Sequence, residues 1–214
     1  MLVFNKKEIA FFRKLNTPAK AQDFLNSLKF NFEKRGETLK SPIRVLRDGN
    51  AHCLEGAVFG AYVLSLHNFP PLILHLQAVK NDYDHVIAPF KINEHWGALS
   101  KTNHAVLRYR EPVYKNIREL VMSYFHEYFL GSGPHIGKKT LRKYSLPLNL
   151  NIFGKDWATS DKDLWFIDKA LDEVKHYDIL SKSLFDKLRR ADKIEIKAGE
   201  IVEYKNIKNI KGYP

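Results

Sequence analysis

Apolar and polar positions divide the chain into a helical start, a strand-rich middle and a mixed remainder. Ile9, Phe12 and Leu15 fall roughly on one side of a short helix predicted over 6–15. Thr17-Pro18 marks a second helix start, with Thr17 as cap and Pro18 at the first helical position. Ala21, Phe24, Leu25 and Leu28 follow at helical spacing. Residues 30–38 are polar and read as a loop, and Ser41-Pro42 leads on to the turn signal Arg47-Asp48-Gly49. A further helix is predicted from about 51 to 66, capped by Asn50. Gly56 and Gly60 lie four apart on one of its faces, where another backbone can come close.

Past His67-Asn68-Phe69-Pro70-Pro71 the pattern changes to strands. Residues 72–79 are almost continuously apolar, as in a central strand, and 85–90 and 95–100 are two more strands joined by a turn at 91–94. A helix followed by antiparallel strands is an α+β pattern. Pro112 is expected to open a long helix to about Leu130, with Val113, Ile117, Leu120, Val121, Tyr124, Phe125 and Tyr128 inward and Gly131 at its end. Residues 132–156 are rich in loop signals, Ser160 can cap a helix carrying Leu164, Ile167, Leu171 and Val174, and 194–204 reads as a hairpin around Ala198-Gly199.

Composition fits one globular domain over 1–214, with 44% hydrophobic and 28% charged residues. The net charge of +11 allows an anionic partner such as nucleic acid. The basic residues are spread along the chain, however, which favours a solvated surface. One cysteine excludes an internal disulfide and fits a reducing compartment, and the first residues match neither a signal peptide nor a membrane span. A cytoplasmic protein without a membrane partner is expected.

The lone cysteine carries the candidate chemistry. With Asn50 as cap, Cys53 takes the third helical position, where the helix dipole favours an anion and so a thiolate. A thiol nucleophile needs a base, and His85 at a strand start can supply it. A third group usually orients that base.

On the ordered set of Cys53, an apolar strand, His85 and Trp96, the segment 17–103 resembles a transglutaminase-like domain of the papain-like superfamily. The resemblance implies a papain-like core; residues 104–214 carry no signal of that family and are expected to add a helical region ending in the hairpin. It implies a catalytic Cys53 and His85, and an aspartate four residues after the tryptophan. Ser100 stands there instead, and Asn103 is the other candidate for orienting His85. On a regular strand 100 and 103 face opposite sides, so only one can serve.

The expected activity is thiol-dependent acyl transfer on a protein or peptide substrate, through a thioester and without cofactor or metal. The alternative is an inactive transglutaminase-like fold that binds a peptide or protein. His52 is expected to face solvent, Glu55 to complement the helix dipole and Arg47 to lie on the surface. Asp82 and Asp84 could orient His85, although Asp84 is awkwardly placed for it. His75, His85, His95 and His104 could form a metal set with Cys53 but lack metal-motif spacing. Arg108-Tyr109-Arg110 alternates as nucleic-acid surfaces do but is short, so an exposed strand end is preferred.

Overall fold

The first two helices start where side chains satisfy free N–H groups. In this computed structural model, which describes residues 1–205, Asn5 caps α1 (Lys6–Lys14) and Thr17 caps α2 (Pro18–Ser27). Strand β1 (Lys29–Phe30) pairs in parallel with β2 (Asn50–Ala51), and α3 (Pro42–Asp48) lies between them. Gly49 ends α3 at a φ of 66°, a left-handed position suited to glycine. Asn50 and Ala51 therefore belong to a strand, and α4 (Cys53–Ser65) begins after His52. The expected Asn50 cap is corrected: pairing with β1 holds its backbone, and Cys53 becomes the first helical residue.

Three strands follow α4, namely β3 (Leu72–Gln77), β4 (His85–Ile92) and β5 (His95–Ser100). Asn93 and Glu94 turn β4 into β5 with positive φ at both positions, as a tight hairpin requires. The predicted helix from Pro112 begins instead as a strand, β6 (Arg110–Tyr114), and α5 (Ile117–Phe125) starts only after the cap Asn116. Pro112 is tolerated because β6 is an edge strand with one paired side. Then come β7 (Lys143–Ser145), β8 (Leu148–Asn149), α6 (Trp165–Glu173), β9 (His176–Asp178), α7 (Lys182–Phe185) and α8 (Lys193–Gly199). Ser160 does not cap α6, which starts after Leu164, although Leu164, Ile167 and Leu171 are buried as expected. The predicted hairpin at 194–204 is corrected to a helix: Asp192 and Glu195 form a capping box at its start.

The fold is α+β around one antiparallel seven-stranded sheet, in the order β6-β5-β4-β3-β7-β9 with β8 also on β3. Residues after 104 thus supply four of its strands and are not only helical. Alternate residues of β3 face opposite layers. Ile73 lies in one hydrophobic cluster with Val58 and Phe59 of α4, and Leu74 and Leu76 lie in another with Leu120 and Tyr124 of α5. Burial on both faces explains the continuous apolar run of β3. Both glycines of α4 meet the sheet: a Cβ on Gly56 would lie 2.3 Å from Lys101 Cβ, and one on Gly60 2.9 Å from Leu99 Cδ1. This contact sets the Cys53 end of the helix against the end of β5. Among the described residues, no helix is long and apolar enough to cross a membrane.

Candidate functional site

Cys53 and His85 open into one cleft where the start of α4 meets the start of β4. The cavity is about 90 Å³, and Lys101, Leu107, Tyr128, Phe129 and Gly199 are among its walls. Half-buried Cys53 is the chain's one thiol. Burial pushes its pKa up, but hydrogen bonds and charge from His52 and His85 outweigh burial and hold it well below the ordinary thiol value. The site therefore favours the thiolate over the thiol.

His52 is not the solvent-facing residue expected. Its side chain is only 15% exposed, and its Nε2–H donates to the Thr38 carbonyl at 2.8 Å. Burial would lower its pKa, but the bond to Cys53, the charges of Glu55 and Cys53, and Thr38 raise it to about 9. Glu55 is fully buried beneath it. The carboxylate accepts from Asn31 Nδ2, Thr38 Oγ1, and the backbone N–H groups of Lys40 and His52, at 2.8–3.1 Å. It ties the 31–40 loop to the helix start and fixes the backbone that presents Cys53. Arg47 lies away from the cleft, paired with Glu8.

His85 is buried, and its Nε2 lies 2.8 Å from Ser100 Oγ. The hydroxyl of Ser100 donates to the Leu107 carbonyl, which can only accept. Ser100 must then accept from His85 Nε2–H, which assigns the tautomer and leaves Nδ1 for the Cys53 side. Several groups hold Ser100 in place. The Gln22 amide accepts from Ser100 N–H at 2.9 Å and donates to its carbonyl at 2.8 Å. Leu107, at a φ of 59°, donates its N–H to Glu127 at 2.6 Å, and Arg110 pairs with Glu127 at 2.6 Å. A leucine in left-handed backbone is strained, and here that strain aims a carbonyl at Ser100.

Asn103 does not reach His85. Its side chain donates to the Tyr204 carbonyl and accepts from the Tyr204 N–H, both at 3.0 Å. Asp84 turns the other way, accepting from His75 Nε2 at 2.9 Å and Ala78 N–H at 2.7 Å. Asp82 accepts from the Tyr83 N–H. The four histidines weighed as a metal set have separate partners: His75 bonds Asp84, His85 bonds Ser100, His95 lies 2.7 Å from the Asn93 carbonyl and His104 2.8 Å from that of Gly199. Among the described residues, no group of three or more His, Cys, Asp or Glu is placed to hold a metal ion. Arg108 and Arg110 are engaged internally, with Glu203 and Glu127.

Sequence reasoning missed Gln22, Lys101 and Tyr128. Lys101 is almost fully buried and donates to the Leu28 carbonyl. Burial pushes its ammonium down to about 8, against the pull of Glu203. Its only signal in the sequence was Gly56, the small residue that leaves room for it. No protein-family model matches the chain, and no curated protein matches its sequence.

Proposed function

We propose that the chain is a cysteine-dependent acyl-transfer enzyme with a papain-like, transglutaminase-like disposition of thiol and base. One observation carries the reading: the Cys53 sulfur lies within hydrogen-bonding reach of two histidines in a cleft, and one of them is backed by a buried, fully committed hydroxyl. In this reading Cys53 Sγ attacks an amide carbonyl of a peptide or protein. The proton that left the thiol, held on the histidine pair, passes through His85 Nδ1 to the departing amine as the C–N bond breaks, and a thioester remains on Cys53. Water or a second amine then attacks the thioester, giving hydrolysis or transfer, with His85 accepting the attacking group's proton.

Ser100 takes the orienting role and Asn103 does not. A hydroxyl that already donates to Leu107 is polarised toward accepting from His85, which partly offsets the missing carboxylate. His52 is charged at neutral pH and holds the thiolate between turnovers.

The rate of Cys53 alkylation by iodoacetamide against pH tests this. The wild type should react fast well below the ordinary thiol pKa of about 8.5. His85→Ala should slow the reaction at pH 6 roughly tenfold or more, because each pKa unit regained costs a factor of ten in thiolate. A slow, ordinary thiol in both proteins overturns the enzyme reading and leaves a peptide-binding cleft.

A further inference from the structure

Tyr128 follows α5 and reaches the cleft from the side opposite α4. It is 2% exposed. Among the described residues, no hydrogen-bond partner reaches its hydroxyl. Leaving a buried hydroxyl unpaired is costly, and native proteins seldom do so without a use for it. This hydroxyl belongs to a side chain that lines the same cavity as Cys53 and His85. It is near enough to Cys53 and Asp82 for their charges to act on it, and burial, the largest influence, pushes its pKa well up. The phenol thus stays protonated and keeps a proton to donate.

Its backbone is held firmly. The Tyr128 carbonyl accepts from Thr140 N–H at 3.1 Å, and Phe129 next to it bridges to Lys139. The cavity of about 90 Å³ has room for a carbonyl group beside the sulfur. A donor fixed in a cleft, with no protein partner before reaction, is what stabilises charge that develops only in the transition state.

We propose that the Tyr128 hydroxyl is an oxyanion donor, working with the backbone N–H of Cys53. That N–H sits at the first position of α4 and has no intrahelical acceptor. As Sγ bonds to the carbonyl carbon, the C=O π pair moves onto oxygen, and the two N–H and O–H groups donate to that oxygen. No proton leaves Tyr128. When the pair returns, the C=O bond re-forms, the bond to the leaving group breaks, and both donors are freed. The inference rests on the acyl-transfer reading.

The test compares two reactions of the same sulfur in wild type and Tyr128→Phe. Iodoacetamide alkylates by displacement at a saturated carbon and makes no oxyanion. p-Nitrophenyl acetate acetylates through a tetrahedral oxyanion and expels p-nitrophenolate. Tyr128→Phe should acetylate more slowly by roughly 100-fold or more, with its alkylation rate and urea midpoint unchanged. If acetylation is unchanged, or if both reactions slow by the same factor, the inference is overturned while the thiol reading stands. If wild-type Cys53 acetylates no faster than free cysteine, the acyl-transfer reading fails, and the oxyanion role with it.

Discussion

At Cys53 the two flanking histidines hold a charge that burial alone would forbid, and the pH dependence of stability should show it. The His52 pKa is raised from 6.5 to about 9, so its contribution is complete below about 6.5 and is lost as pH rises through about 9. The Cys53 pKa is lowered, so its contribution is complete above the ordinary thiol value and is lost as pH falls through the lowered one. From the higher of about 6.5 and the lowered thiol value up to about 8.5, the folded pair has moved one proton from sulfur to imidazole, while the unfolded chain keeps it on sulfur. The proton counts match, so the pair's contribution should be flat across that window and fall on both sides. The difference in urea-unfolding free energy between wild type and Cys53→Ala, followed from pH 5 to 10, should trace this plateau. A difference that slopes steadily through neutral pH would contradict the ion pair.

At the scale of elements, the seating of α4 on the sheet decides where the thiol points. Gly56→Ala would place a methyl 2.3 Å from Lys101 Cβ, far inside contact distance and against a side chain nearly fully buried. Either α4 or the end of β5 must shift. The expected cost is about 1–3 kcal/mol in urea unfolding, with slower alkylation of Cys53 because its helix is displaced from His85. Much of this arrangement was legible in the sequence. The glycine pair, the apolar run of β3 and the His85 strand are local patterns, and local patterns survive folding. Pro112 misled because a proline opens a helix or sits in an edge strand with equal ease, and only the neighbour β5 decides. Asn50 misled in the same way, since its pairing with β1 comes from a residue 21 positions earlier. Gln22 could not have been found at all: its amide stands in for a strand against Ser100, 78 residues away, and nothing around Gln22 hints at it.

Over the whole molecule, the cleft depends on a segment distant in sequence. Residues 199–204 run along 103–108 and close one wall. Ala105 N–H donates to the Ile201 carbonyl, Glu203 N–H to the Asn103 carbonyl, and Arg108 pairs with Glu203 at 2.7 Å. The two hydrogen bonds from the Asn103 side chain complete the strap. Asn103→Ala removes both, and at about 1 kcal/mol each should speed amide exchange in 201–204 by roughly tenfold or more. Exchange in β4, which is anchored in both hydrophobic layers, should not change. Hydrogen exchange read by mass spectrometry on the two segments checks this. Equal acceleration in both would mean that the strap and the core open together.

A sulfur that favours its ionised form has oxidation open to it as well as acylation. Hydrogen peroxide also takes the thiolate, leaving a sulfenic acid on Cys53. Many proteins rescue that state by closing a disulfide with a neighbour, and this chain has no second cysteine to offer. An oxidised Cys53 is therefore capped by a thiol from outside, one slim enough to enter the cleft, or closes on a backbone nitrogen as a sulfenamide, or passes to the sulfinic acid, from which ordinary reductants do not return it. The two histidines that lower the thiol's pKa also leave its survival to the small thiols around it.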